Sequence, residues 1–297
     1  MARKTKVREH DRTGTSGVRE HSRTLPDAPM GNQKGNFKPV KSTKRQIQGA
    51  VNQGKKLIKQ SLSDDDYARL KYIKLQFDKG YDTRAIYTRY GKYIDERKRL
   101  HNRIIKDILK GDTKTKDPDL YVLGGVAGSG KTSVLLKRVK ERAVVINNDD
   151  IKKELAKETP APTDNYFLMH APLLHRESSD VEKKLIKKAI KSDKDIILDR
   201  TLSNLEENLD LIEKFRKEGY DIHTYGTNLK PHIAIIRASQ RFVKKGKEGR
   251  YVPLEVIARK ANQTNENVMN IAKRDFNDSA VVIDTTTRDN KILYEKN

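Results

Sequence analysis

Hydrophobic and polar positions change period along this chain, and the change divides it. From residue 120 onward, short apolar runs recur between longer amphipathic stretches. Leu120-Tyr121-Val122-Leu123, Ala143-Val144-Val145-Ile146, Ile196-Ile197-Leu198, Tyr220 to Tyr225 and Ala280-Val281-Val282-Ile283 have the length and β-branched content of buried strands. Ser133 to Lys140 and Leu205 to Lys217 have helical spacing, and Gly219 stops the second. Strands alternating with helices predict an α/β fold, a parallel sheet with helices on both faces. Residues 62–110 predict a helical pair instead. Ser63 and Asp66 have capping-box-like spacing, and Leu70, Ile73, Leu75 and Phe77 precede a stop at Gly80. A second run from Asp82 or Thr83 carries Ile86, Tyr90, Tyr93, Ile94, Leu100, Ile104, Ile105, Ile108 and Leu109 before Gly111. Its tyrosines among Lys and Arg fit helix packing, or stacking on nucleotide bases. Residues 112–119, polar and containing Pro118, predict a linker.

Residues 1–60 show neither period and contain Pro26, Pro29 and Pro39, so they are expected to be largely disordered. The predicted organisation is a basic arm over 1–60, a helical extension over 61–111 and the α/β domain over 112–297. Within the arm, Val7-Arg8-Glu9-His10-Asp11-Arg12-Thr13 recurs as Val18-Arg19-Glu20-His21-Ser22-Arg23-Thr24. Two copies are too few for a solenoid. His10 and His21 read as solvated, because no carboxylate or histidine cluster supports a metal site.

Charge sharpens this division. The formal net charge is +22, and residues 1–116 hold 30 Lys/Arg against 13 Asp/Glu. The excess therefore sits mainly ahead of the α/β domain, where it suits a polyanion such as nucleic acid, or serves only as a solubilising tail. The chain has no cysteine, which excludes disulfides and thiolate-bound zinc. No apolar run approaches transmembrane length, and no apolar stretch follows the basic N-terminus. A cytoplasmic location is expected, with virion association as an alternative.

The candidate chemistry begins where the first α/β strand ends. Gly125-Val126-Ala127-Gly128-Ser129-Gly130-Lys131-Thr132 reads G-x-x-x-x-G-K-[ST], and Ser133 continues it. Strand, glycine turn and helix in that order are the context of a phosphate-binding P-loop. The glycines let successive N–H groups point at one anion. Lys131 can reach the outer phosphates, and the Thr132 hydroxyl can meet Mg²⁺. Asp149 follows the second strand and Asp199 the third, so three stretches converge on the carboxyl edge of the sheet. Asp149 there is a candidate base, or the N-cap of a helix starting near Ile151. Asp199 is a candidate carboxylate for the magnesium ion or its water.

Residues 120–285 resemble the zeta-toxin family of P-loop kinases. The resemblance rests on Gly128 to Ser133, on Ile146-Asn147-Asn148-Asp149 with Lys152 behind, on Ile197-Leu198-Asp199-Arg200-Thr201, and on Arg241 and Arg250. It implies transfer of the γ-phosphoryl of ATP or GTP to a hydroxyl of a sugar nucleotide such as UDP-N-acetylglucosamine. It implies Asp149 as base and Arg241 and Arg250 as lid arginines on the phosphates, with Glu182, Thr201 and Asn204 contacting the acceptor. An antitoxin is an implied partner. Departures stand beside the matches: Asp199 falls where the family more often has Glu, Asn204 where it can carry Arg, and residues before 120 are not covered. A polynucleotide or other small-molecule kinase on the same fold remains open. So does a phage or virion protein that binds nucleotide and nucleic acid without turnover.

Overall fold

The computed structural model describes residues 7–9, 19–21, 38–110, 114–135, 139, 143–159, 170–244, 250–287 and 289–296. The expected helix stop at Gly111, the helix beyond Leu135 and residues 245–249 between the expected lid arginines lie outside those residues, as do the side chains of Thr132 and Ser133. Each copy of the N-terminal repeat supplies one short strand. β1 (Val7–Glu9) and β2 (Arg19–His21) pair antiparallel, with Arg8 opposite Glu20 and Glu9 opposite Arg19.

Residues 44–60 depart from the expected disorder: α1 spans Lys44–Ser61. Thr43 and Gln46 close a capping box, each accepting the other's backbone N–H, at 3.2 and 2.9 Å. The buried face is only Ala50, Val51, Gly54 and Ile58, spaced at helical intervals among Lys and Gln. So sparse a stripe carries little periodic signal, and the helix owes its stability to packing rather than propensity. Ahead of it, Val40 and Ser42 donate backbone N–H groups to Asn228 and Asn262.

The expected helical pair is also more broken than its periodicity implies. α2 (Asp64–Asp78) begins at the Ser63 cap and buries Leu70 and Ile73. The second run is interrupted after α3 (Thr83–Tyr87) by a hairpin of β3 (Thr88–Arg89) and β4 (Lys92–Tyr93). Tyr90 and Gly91 turn it, with φ of +52° and +74°. The helix resumes as α4 (Asp95–Leu109), which buries Leu100, Ile104 and Ile105. Ile86 and Tyr90, placed in a packed stripe by spacing alone, are exposed.

The α/β part follows in chain order: β5 (Asp119–Gly124), α5 (Lys131–Leu135), β6 (Val144–Asn147), α6 (Asn148–Lys157), α7 (His175–Ala189), β7 (Ile196–Arg200), α8 (Leu205–Lys217), β8 (Asp221–Asn228), α9 (Pro231–Lys244), α10 (Leu254–Ala272), β9 (Ser279–Asp284) and β10 (Lys291–Lys296). The sheet order is β10-β9-β8-β5-β7-β6, parallel except for β10. β5 is buried along its whole length and is the point where the order reverses, with β7 and β6 on one side and β8 and β9 on the other. A ligand crevice belongs at the carboxyl end of such a strand.

Two cores hold the extension to this sheet. Leu100, Ile104 and Ile105 of α4 join Ile151, Val181, Phe215 and Val268 on one face. Val51, Ile58, Leu70 and Ile73 of α1 and α2 join Ile235, Phe242, Leu254 and Ile257 in a second cluster. α1 approaches so closely that a Cβ on Gly54 would lie 2.4 Å from Ser239 Oγ and 2.7 Å from Leu254 Cδ1. A truncation starting at Lys38 is therefore expected to melt within a few degrees of the full chain. One starting at Leu62 forfeits the burial of Val51 and Ile58, about 3–6 kcal/mol. At roughly 2–4 °C of Tm per kcal/mol in a domain of this size, that truncation should melt about 10 °C lower or aggregate. Thermal melts of the two truncations check this, and equal melting would show that α1 is dispensable.

Candidate active site

The P-loop is wedged between the ends of β5 and β8 and the body of α9. Gly125 has φ +148°, and a Cβ there would sit 2.1 Å from Thr227 Oγ1. Gly128 has φ +85°, and a Cβ there would sit 2.9 Å from the Ala234 carbonyl oxygen. Only glycine fits both the turn and the space. Val126 is buried, and Ser129 is buried with its hydroxyl 2.6 Å from that of Thr227. Ser129 therefore anchors the loop to β8 by its side chain. Gly130 leads directly into α5, which starts at Lys131 as a P-loop helix should.

Lys131 folds over its own loop. Its ammonium donates to the Gly125 carbonyl at 2.9 Å and lies 3.8 Å from Asp199 Oδ1. Burial lowers its pKa; the Asp199 charge opposes that, and the Arg250 and Arg241 charges add to it. Asp199 shows the reciprocal effect: burial raises its carboxyl, Lys131 pulls it down, and Asp150 pushes it up. Asn147 donates to the other Asp199 oxygen at 3.0 Å. A half-buried carboxylate beside the P-loop lysine suits Mg²⁺, which takes one or two carboxylates and completes its shell with water and phosphate oxygens. No group of three His, Cys, Asp or Glu among the described residues could hold a metal by itself.

The second half of the site starts at β6. Asn147 caps α6, its Oδ1 accepting the Asp149 N–H at 2.8 Å. The cap that Asp149 could have supplied is thus taken, and the Asp149 carboxylate is free for charged partners. Lys152 stands 3.3 Å from Oδ1, and Arg250 pairs with Oδ2. Burial pushes Arg250 down to about 10. It also pushes Lys152 down to about 8, against the pull of Glu182. His175 is pushed down to about 4 by burial, then by Lys152 and Lys260, so it is neutral at neutral pH.

Asn148 links α6 to α7. Its amide donates to Glu182 Oε2 at 3.1 Å, and its oxygen accepts from Ser178 Oγ at 2.8 Å. Glu182 Oε1 lies 3.4 Å from Arg200 Nε at the end of β7. Asp149, Arg250, Lys131, Asp199 and Glu182 are thereby brought to one edge of the sheet. Arg241, at the exposed end of α9, comes near enough for its charge to act on Lys131. Thr201 is exposed just beyond β7. The Asn204 side chain caps α8, accepting from the Glu207 N–H at 3.4 Å and donating to the Glu207 carboxylate at 3.3 Å. Ser178 and His175 were not singled out from sequence, and Asn148 was quoted in a motif without a part of its own. The signal was there in Ser178, Val181, Glu182, Leu185, Ile186 and Ala189, the buried helical stripe of α7.

The sequence profile described as Zeta toxin matches residues 103–297. No curated protein matches the chain. Among solved structures, the chromosomal toxin-antitoxin system PezAT of Streptococcus pneumoniae is 16% identical with a TM-score of 0.50, covering 69% of this chain and 81% of that one. The AvrRxo1-ORF1:AvrRxo1-ORF2 complex with sulphate ions is 19% identical with a TM-score of 0.53, covering 68% of this chain and 67% of that one. The native form of that complex is 20% identical at a TM-score of 0.51 over the same shares. At these identities the likeness is one of fold.

Proposed function

The chain belongs to the zeta-toxin family of phosphotransferases, and on that premise we propose that it phosphorylates a hydroxyl of a sugar nucleotide such as UDP-N-acetylglucosamine. The donor is ATP or GTP. The observation that carries this reading is the pairing of Asp149 with Arg250 beside the Lys131–Asp199 pair. Base and phosphate-binding cations there share one edge, as phosphoryl transfer requires.

In this reading Lys131 exchanges the Gly125 carbonyl for the outer phosphates. Arg250 leaves Asp149 for the same phosphates, and Arg241 joins it. The acceptor oxygen forms its bond to the γ-phosphorus while the bond to the nucleoside diphosphate breaks. Asp149 takes the hydroxyl proton. Asn148, Glu182 and Thr201 line the approach of the acceptor. Asp199, with Thr132 by its place in the motif, would hold Mg²⁺, which when bound neutralises charge on the β- and γ-phosphate oxygens. A protein antitoxin is a proposed partner, since PezAT is a toxin-antitoxin system. Residues 1–60, with 15 Lys/Arg against 4 Asp/Glu, favour a polyanion as a further one.

Labelled ATP tests the acceptor when offered with UDP-sugars, aminoglycosides, chloramphenicol-like alcohols and 5′-hydroxyl oligonucleotides. Label on UDP-N-acetylglucosamine is expected. Label on oligonucleotides alone would overturn the sugar-nucleotide reading and put the polynucleotide kinase in its place.

A further inference from the structure

Three side chains that the site does not use form a buried charged node one turn from it. Glu177, in the first turn of α7, is 0% exposed. Arg97 of α4 grips it in a bidentate pair, Nε to Oε1 at 2.6 Å and Nη2 to Oε2 at 3.0 Å. His101, one helical turn further along α4, meets Oε1 at 2.6 Å through Nε2. Burial alone would raise the Glu177 carboxyl, but hydrogen bonds from His101 and Arg97 hold it down at about 2. The same guanidinium reaches the end of α6, donating to Thr159 Oγ1 at 2.8 Å and to the Glu158 carbonyl at 3.3 Å. Buried and without a partner, His101 Nδ1 is an arrangement an apolar contact would not need. Both α4 residues precede the family match, which begins at residue 103.

From Glu177 the chain of contacts to the reacting centre is short. Its neighbour Ser178 donates to Asn148, which also donates to Glu182 and adjoins Asp149. We propose that Glu177, clamped by Arg97 and His101, is a positioning residue that fixes the first turn of α7 against α6 and thereby sets Asn148 and Asp149 toward the acceptor. The proposal rests on Asp149 serving the acceptor, but not on which acceptor it is. A ground-state offset of about 1 Å at a reacting group can cost on the order of a hundredfold in rate.

Glu177→Gln, His101→Leu and His101→Gln test it, compared in the full-length protein. Glu177→Gln should lower kcat with UDP-N-acetylglucosamine by about ten- to a hundredfold. His101→Leu should lower it too, while His101→Gln, whose amide still reaches the carboxylate, should recover most of the rate. The Kd for ATP should stay within about twofold, because the P-loop lies on β5 and α9. Hydrogen exchange is read on the same samples: faster exchange is expected over 147–151 and 175–182, and none over 125–131. If wild type does not phosphorylate this sugar nucleotide, the acceptor reading fails, and exchange alone decides the node. Unchanged exchange over 147–151, or equal loss in His101→Leu and His101→Gln with native melting, would overturn the positioning role. Where Glu177→Gln fails to fold, the two His101 variants carry the decision, since the Arg97–Glu177 pair remains in both.

Discussion

Lys131→Ala is expected to lower phosphotransfer by at least about 10²–10³-fold while the domain keeps its native circular dichroism. In the proposed reaction the lost ammonium is the group that meets the outer phosphates, and no other described cation sits within the loop itself. Folding should tolerate the change. Lys131 is a desolvated charge whose pKa burial already lowers, and its Asp199 contact is long, at 3.8 Å. Removing it relieves one buried charge and leaves Asp199 with Asn147 as its remaining partner. Asp199 then becomes easier to protonate, because Lys131 is the charge that pulls its raised pKa down. Turnover and ATP affinity should therefore both fall. Near-normal turnover on a folded variant would remove Lys131 from the reaction and the P-loop from its assigned part.

What the sequence made legible is the part built from strong, local signals. Strands such as Leu120 to Leu123 are continuous apolar runs because the sheet buries them on both faces. The P-loop spacing is legible because a backbone cradle for phosphate tolerates little but glycine at Gly125 and Gly128. Asp149 and Asp199 stood out because β6 and β7 end beside them. What stayed hidden depends on partners distant along the chain. α1 has too few apolar positions to announce itself, and it is a helix because Ser239 and Leu254 receive Gly54. β10 carries only Ile292, Leu293 and Tyr294 as apolar residues, and becomes a strand by pairing with β9. The break at Tyr90-Gly91 lay inside a stretch that otherwise keeps helical spacing. Beside the site, Glu177 and Ser178 look in sequence like ordinary surface residues of a charged helix; only the fold brings Arg97 and Asn148 to them. Asn204, a position suggested by likeness, is one that the local chain also uses to start α8.

Asp149→Asn should separate the two halves of the site. The substitution keeps the shape, and the Asn147 cap uses the backbone N–H of residue 149, so α6 should start where it does now. It removes the negative charge that Arg250 and Lys152 face. A group that accepts a proton in the transition state contributes on the order of 10²–10⁴-fold, and kcat should fall by that factor. ATP affinity should hold or tighten slightly. In the proposed reaction Arg250 must leave Asp149 before it can meet phosphate, and with a neutral residue at 149 that competing pair is gone. Calorimetry with ATP and steady-state kinetics with the acceptor read the two effects on one sample. Turnover retained at saturation together with weakened ATP binding would reverse the assignment, placing Asp149 on the triphosphate and leaving the acceptor without its base.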